Sequence, residues 1–300
     1  MKNRHFPLVA IILVNYNGFE DTVACIQSLE KIDYPNYQIY VVDNGSDQHP
    51  TEQQMAALEG TIYIALKDNL GFSGGNNIGI RRAMEDSCEY FLLLNNDTIV
   101  TPDFLTHLVA TAQAYPEAGC ITGRIMFYYD QDKIWYAGGT YDERYTSVCH
   151  NHWGETFSSD ISEKHVVETE FATGCLLMLT RTAVKTVGLL SEEYFLYAED
   201  TDYCLRLHQA DYPILYDEQS VILHKVSRST GATSANTQYY MIRNRLMIVS
   251  KFGKQSSVAY RKILLESLKD VIKGRQKLRP VMLGVLDFVM KKNGKNMHKF

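Results

Sequence analysis

Three apolar runs in the first hundred residues, at 8–14, 37–42 and 90–94, each stop at a cluster of amides and acids. An apolar run with little polar alternation marks a strand covered on both faces. The intervals between the runs read as helices. Residues 21–31 carry Cys25, Ile26 and Leu29 on one side, and residues 74–85 follow a glycine-rich loop. Residues 61–66 add a short strand, and Pro102 stands where a first helical position would be, opening a helix to Tyr115. Strand and helix in alternation impose right-handed crossovers. The expected fold class is therefore α/β, with a Rossmann-like, mainly parallel sheet flanked by helices.

After Gly119 the rhythm changes. Strand-like pieces at 120–128, 134–137 and 175–180 alternate with polar loops, notably 150–164. A short helix at 201–209 and short strands at 214–216 and 221–223 follow, and from about residue 236 the chain reads as helical. This suggests a mixed second half of the same sheet rather than an independent domain. The expected division is a body at 1–235, with halves at about 1–125 and 126–235, and a helical extension at 236–300.

With 300 residues and 45% hydrophobic content, the chain can bury a sizeable core unaided. Its six cysteines form no C-x-x-C pair, which argues against a zinc site or a disulfide framework and for reduced thiols in the cytoplasm. Residues 1–14 hold basic residues and then an apolar run. No small-residue cleavage site follows, so the run is expected to be a strand and not a signal peptide. No stretch reaches the roughly 18 apolar residues of a membrane-spanning helix.

The formal net charge of −5 conceals an asymmetry. Residues 251–300 hold 13 Lys/Arg and 3 Asp/Glu, whereas the first 250 hold 17 and 32. A basic tail on an acidic body points to an anionic surface. In the tail, Ile263, Leu264, Leu268, Val271 and Ile272 are interspersed with Lys262, Lys269 and Lys273, the pattern of a basic amphipathic helix that can lie on a membrane face. The same residues also suit a solvated helix packed on its own domain.

Polar residues collect at the carboxyl ends of the expected parallel strands: Asn15-Tyr16-Asn17, Asp43, and Asn95-Asn96-Asp97. Open α/β sheets bind ligands outside those ends. The segment Asn69-Leu70-Gly71-Phe72-Ser73-Gly74-Gly75-Asn76-Asn77 lets a backbone pass close to a ligand, yet fits neither G-x-G-x-x-G nor a P-loop, which excludes the usual dinucleotide fingerprint. Asp97 among amide oxygens suits a hard divalent cation, Mg²⁺ or Mn²⁺, and His224 could supply a second ligand. Glu199, Asp200 and Asp202 crowd a helix start. One or two acids there serve as caps; three beside aromatic residues suggest a positioned general base.

Taken in order, these motifs resemble glycosyltransferase family 2, enzymes of the GT-A fold, and within it bacterial rhamnosyltransferases of polysaccharide assembly. The matching residues are Val14-Asn15-Tyr16-Asn17, Val41 to Ser46, Asn69 to Asn77, Leu93 to Asp97, Thr173-Gly174-Cys175, Glu199 to Asp202, and His224. Tyr239 to Arg245 also looks similar, and the resemblance covers roughly 7–252. It implies a nucleotide-sugar half at about 1–125 and an acceptor half at about 126–235.

The resemblance also implies roles. Asn15 and Asp43 would contact the nucleoside, with Asp43 on a pyrimidine base, and Asn17 would bind the nucleotide sugar. Asn69, Gly71, Phe72, Gly74, Gly75, Asn76, Asn95 and Asn96 would line the nucleotide sugar. Asp97, where Asn95 replaces the first acid of an Asp-x-Asp pattern, and His224 would hold the metal. Asp200, with Glu199 beside it, would be the base, and Gly174 and Cys175 would border the acceptor. The implied activity is inverting transfer of a sugar, foremost from dTDP-β-L-rhamnose, otherwise from a UDP-sugar, onto a saccharide or lipid-linked saccharide. A nucleotide-sugar-binding protein without catalysis is the rival. A homodimer is open, nucleic acid is not among the expected partners, and the expected place is the cytoplasm, at the inner membrane face.

Overall fold

The computed structural model describes residues 6–158, 165–226 and 234–300. The first half is built as the apolar runs demand. Strand β1 (Val9–Asn15) is followed by α1 (Phe19–Leu29), β2 (Tyr37–Asp43), α2 (Glu52–Ala57), β3 (Ile62–Ala65), α3 (Gly71–Glu85) and β4 (Tyr90–Asn95). β1 pairs in parallel with β2 and β4, and β2 with β3. Val9 to Leu13 are wholly buried, as a strand sandwiched between helices should be.

The second half interleaves β5 (Thr98–Val100), α4 (Phe104–Ala114), β6 (Cys120–Phe127), β7 (Ile134–Tyr136), β8 (Gly139–Asp142), β9 (Ser147–His150), β10 (Val166–Glu168), β11 (Leu176–Thr180), α5 (Arg181–Val187), α6 (Glu199–Gln209) and β12 (Ile214–His224). Its long strands continue the same sheet in the order β10-β12-β6-β11-β4-β1-β2-β3, with β5 on β12 and β7 on β6. The expected mixed second half of one sheet is what forms. β8 and β9 make a separate hairpin. The end of the polar loop expected at 150–164 lies outside the described residues.

Three local readings change, and one helix is added. The glycine-rich segment is the start of α3 rather than a loop before it. Its glycines let the helix press onto β1: a Cβ on Gly79 would lie 2.5 Å from Ile12, and one on Gly75 2.8 Å from Val14. α4 opens at Phe104 behind Asp103, two positions past Pro102. The two short strands at 214–216 and 221–223 are one strand, its pairing with β6 broken between Asp217 and Val221 by a bulge. Helix α2 is started by a capping box in which Thr51 and Gln54 exchange side-chain and backbone bonds.

The extension folds as α7 (Ala235–Phe252), α8 (Ser256–Ile272) and α9 (Leu278–Val289). Ile242, Leu246, Val249, Ala259, Ile263 and Val281 form their shared core. α7 also joins the body: Ile248 packs with Tyr194 and Leu205, and Lys251 pairs with the buried Asp202 at 2.6 Å. Among the described residues no helix is long and apolar enough to cross a membrane.

Candidate active site

Topology gathers the polar residues at one edge. β1, β2 and β4 end there, with Asn15 opposite Asp43 and Val14 opposite Asn95. β11 runs antiparallel to β4, so its start, next to Gly174 and Cys175, falls on the same edge; Asn95 N–H donates to the Cys175 carbonyl at 3.1 Å. β6 and β12 run parallel to each other, and β12 ends there at His224.

On the β1–β2 side, Asp43 is buried and accepts from Asn15 Nδ2 at 3.2 Å, from Tyr63 O–H at 3.0 Å and from Ser46. Burial, with that bond to Asp43, pushes Tyr63 up to about 12, so the phenol stays a donor. Asn15 spends its whole amide internally: its oxygen accepts from Gly18 N–H and Thr22 O–H, both at 3.1 Å. It thus fixes Asp43 and the turn after β1. Asn17 bonds Asp47 through both ends of its amide. Asn44, not singled out in the sequence, binds the Leu70 N–H, the Asn69 side chain and the Gly71 carbonyl, tying the β2 turn to α3.

At the start of α3, Gly71 has φ 76°, and a Cβ there would lie 2.1 Å from the Phe195 carbonyl oxygen. Only glycine fits this turn. Gly74 and Gly75 face Leu70 and Val14, and Asn76 bonds the Phe72 carbonyl within the helix. Phe72 instead points toward the second half, where a Cβ on Gly174 would meet its ring at 2.9 Å.

The pairing of β5 with β12, Thr98 opposite His224, sets Asp97 beside that histidine. His224 Nε2 lies 3.2 Å from Asp97 Oδ1, and both side chains are buried. Asp97 Oδ2 and His224 Nδ1 have no partner among the described residues. Buried polar atoms normally have one. A carboxylate and an imidazole with spare capacity fit Mg²⁺ or Mn²⁺, whose other positions a diphosphate and water would fill. No group of three or more His, Cys, Asp or Glu among the described residues could hold a metal alone. Asn96 lies close by, donating to Thr22 at 2.8 Å.

Asp200 stands in the first turn of α6. Its carboxylate accepts from Gly174 N–H at 3.1 Å and Thr201 N–H at 2.7 Å. Burial raises its pKa, and the two N–H groups pull it back. Glu199 has less help, from its own backbone N–H: burial and then the Asp200 charge push it well above the usual carboxylate range. Of the pair, Glu199 keeps the proton and Asp200 is the more readily ionised. Cys175 is buried and its thiol is pushed up by that burial, so it is no nucleophile.

Sequence reading missed an aromatic wall between these two centres. Trp135 meets His224 edge-on at 4.7 Å and His150 at the same distance, and Trp153 lies 5.7 Å from both Trp135 and His150. His150 Nδ1 bonds the Trp135 carbonyl at 3.1 Å. Burial holds His150 below the ordinary histidine range, opposed by the charge of Asp200 and reinforced by His224. No local pattern could have found this wall, because β7 and β9 meet it from separate stretches of chain.

The family model for "Glycosyl transferase family 2" matches residues 10–188. The chain is similar to dTDP-rhamnosyl transferase RfbF of Shigella flexneri, 24% identical over 80% of this chain and 79% of that one. It is also similar to N-acetylglucosaminyl-diphospho-decaprenol L-rhamnosyltransferase of Mycobacterium tuberculosis, 23% identical over 76% of this chain and 80% of that one. A crystal structure of GalNAc-T7 with UDP, GalNAc and Mn²⁺ superposes with a TM-score of 0.68 at 14% identity, covering 97% of this chain and 56% of that one. The chain spans only 25% of the length of an uncharacterized Sinorhizobium fredii protein to which it is 27% identical.

Proposed function

The chain belongs to glycosyl transferase family 2, and from that premise we propose that it moves a hexose from a nucleoside diphosphate to a saccharide hydroxyl, inverting the anomeric centre. The observation that carries this reading is the placement of Asp200: it is held by the Gly174 and Thr201 amides, and Gly174 adjoins Cys175, whose carbonyl accepts from the N–H of Asn95, two residues before Asp97. The proposed donor is dTDP-β-L-rhamnose, supported by the two rhamnosyltransferase relatives. Asp43 accepts a bond from the pyrimidine base and is oriented for it by Asn15 and Tyr63; Asn17, Asn69 and Gly71 border the rest of the donor.

Asp97 and His224 would hold Mg²⁺ or Mn²⁺, which when bound offsets charge on the departing diphosphate. Asp200 accepts the acceptor's hydroxyl proton as its oxygen bonds to the anomeric carbon. The bond from that carbon to the β-phosphate oxygen breaks, and its electron pair leaves with the diphosphate. The proton ends on Asp200, and the displacement needs no covalent intermediate. General-base help of this kind is worth about 10²–10⁴ in rate, and in-line placement adds to it. The acceptor sugar lies along Trp135 and His150, which keep water from the reacting hydroxyl.

The proposed acceptor is lipid-linked, met at an anionic membrane face by the basic extension. A thermal-shift screen of dTDP-L-rhamnose, UDP-galactofuranose, UDP-N-acetylglucosamine and UDP-glucose, with and without Mn²⁺, tests the donor. Ligand at a hundred times its dissociation constant adds about 2.7 kcal/mol of stability. Cation-dependent stabilisation by dTDP-L-rhamnose supports the reading; stabilisation by a UDP-sugar alone replaces the donor. No response to any of them, with no transfer to a saccharide, would overturn the proposal.

A further inference from the structure

Tyr239 to Arg245 have no part in the chemistry above, yet Asn244 among them is wholly buried in α7. Its side-chain nitrogen donates to two successive backbone carbonyls, those of Leu196 and Tyr197, both at 2.8 Å. Its oxygen accepts from Arg243 Nε at 2.9 Å, which fixes the orientation of the amide. Arg243 is itself buried. It donates to the Gly294 carbonyl at 2.9 Å and to Tyr239 O–H at 3.2 Å, and Tyr239 donates to Asp287 of α9 at 2.8 Å.

The carbonyls that Asn244 holds belong to the segment just before Glu199 and Asp200. Tyr197 has φ 70° and Ala198 φ 74°. Two consecutive left-handed residues, neither of them glycine, form a turn that L side chains disfavour. Ala198 precedes α6 without any side-chain cap, so the helix itself does not account for the turn. On its other flank the segment is fixed by Phe72 N–H, which donates to the Phe195 carbonyl at 2.9 Å. Residues 195–198 are therefore held between α3 and α7, and their last two residues set the direction in which α6 presents Asp200.

We propose that Asn244 is a positioning residue: its two hydrogen bonds keep the turn at Tyr197 and Ala198 left-handed and so aim the Asp200 carboxylate at the acceptor hydroxyl. The role rests on the reading of Asp200 as the base. Backbone carbonyls turned away from water need donors, and Asn244, itself wholly buried, gives one to each of the two half-buried residues, Leu196 and Tyr197, that this turn directs at α7. It also gives the extension a part in transfer, since α7 carries the clamp and α9 braces it through Asp287.

The test uses the full-length chain and Asn244→Ala, Ala198→Gly and the double variant. Glycine adopts φ above zero without penalty, so Ala198→Gly removes much of the need for the clamp. Amide hydrogen exchange of 195–200 in the free protein is read first, then turnover of dTDP-L-rhamnose with a saccharide acceptor and calorimetric donor affinity. Asn244→Ala should speed exchange in 195–200 at least tenfold while 203–207 stay protected. Its kcat should fall about 10–100-fold, in the range that misplacement of a catalytic group costs, with donor affinity within twofold of the parent. The double variant should recover at least a third of the parent kcat.

An Asn244→Ala protein with parental kcat overturns the proposal, as does a loss of kcat that Ala198→Gly leaves unrescued. If Asn244→Ala does not fold, the double variant decides: folded and active supports the clamp, unfolded overturns it. Should the parent turn over no nucleotide sugar, the functional reading fails, while the exchange measurement still decides the clamp.

Discussion

At the scale of single residues, the two adjacent acids of α6 divide their labour through their surroundings. Asp200 accepts from the Gly174 and Thr201 N–H groups, whereas Glu199 is helped by its own backbone N–H, with one of its oxygens buried and unpartnered among the described residues. Asp200→Asn should lower kcat by about 10²–10⁴, the value of general-base help, with donor affinity kept, as calorimetry beside an initial-rate assay would report. Glu199→Gln should keep kcat within about tenfold, because a protonated carboxyl and an amide are near-isosteres, whereas removing the base itself costs more than that.

The same pair governs stability against pH. An unfolded glutamate releases its proton near 4.5, whereas folded Glu199 retains it to higher pH. Between the two values the native state binds the extra proton, so stability falls as pH rises through that window. Urea midpoints from pH 4 to 8 should decline less for Glu199→Gln than for the parent; parallel curves would contradict the assignment. That Asp97 stands just past a strand end and Asp200 at a helix start was legible in the sequence, because each falls where an apolar or aromatic run stops. Trp135, His150 and the role of Asn244 were not, because their meaning lies in partners distant along the chain.

At the scale of elements, the apolar runs placed β1, β2 and β4 well, because burial on both faces leaves no other pattern open to them. The start of α3 was misplaced because a glycine needed for positive φ and a glycine needed for close packing look alike in sequence. Gly71 is the first kind and Gly79 the second. Gly79→Ala is a direct test. Alanine in a helix interior gains about 0.5–1 kcal/mol over glycine, but its Cβ would lie 2.5 Å from the wholly buried Ile12. Overpacking of that kind costs about 1–3 kcal/mol, so the clash wins and Tm should fall. A rise in Tm would mean that α3 stands further from β1 than the structure has it. The short strands β5 and β8 to β10 escaped sequence reading because they hold three or four residues each and lack the continuous apolar run that marked β3 and β7.

At the scale of the whole molecule, the charge asymmetry was plain in the sequence, and the fold shows where the basic extension presents its apolar groups. Ile272 is 76% exposed and Val289 68%, with Leu265, Leu268, Leu278 and Met282 also exposed, amid Arg261, Lys262, Lys269, Lys273, Arg275, Lys277 and Arg279. Exposed aliphatic groups among basic ones suit the interface of an anionic bilayer, where burial and charge attraction add. Deleting 251–300 is a poor test, because it would strip Asp287 from Tyr239 and Val281 from the core shared with α7, and so disturb the base through Arg243 and Asn244. The double substitution Leu268→Glu/Ile272→Glu changes only exposed positions and should leave Tm within about 2 °C, since surface changes are usually worth less than about 0.5 kcal/mol. The parent should sediment with phosphatidylglycerol vesicles and less so with phosphatidylcholine ones. Its binding should weaken in salt as surface charge is screened, and the double variant should stay in the supernatant. Equal sedimentation of parent and variant would rule out α8 as the contact, and none for the parent would leave the acceptor to be met in solution.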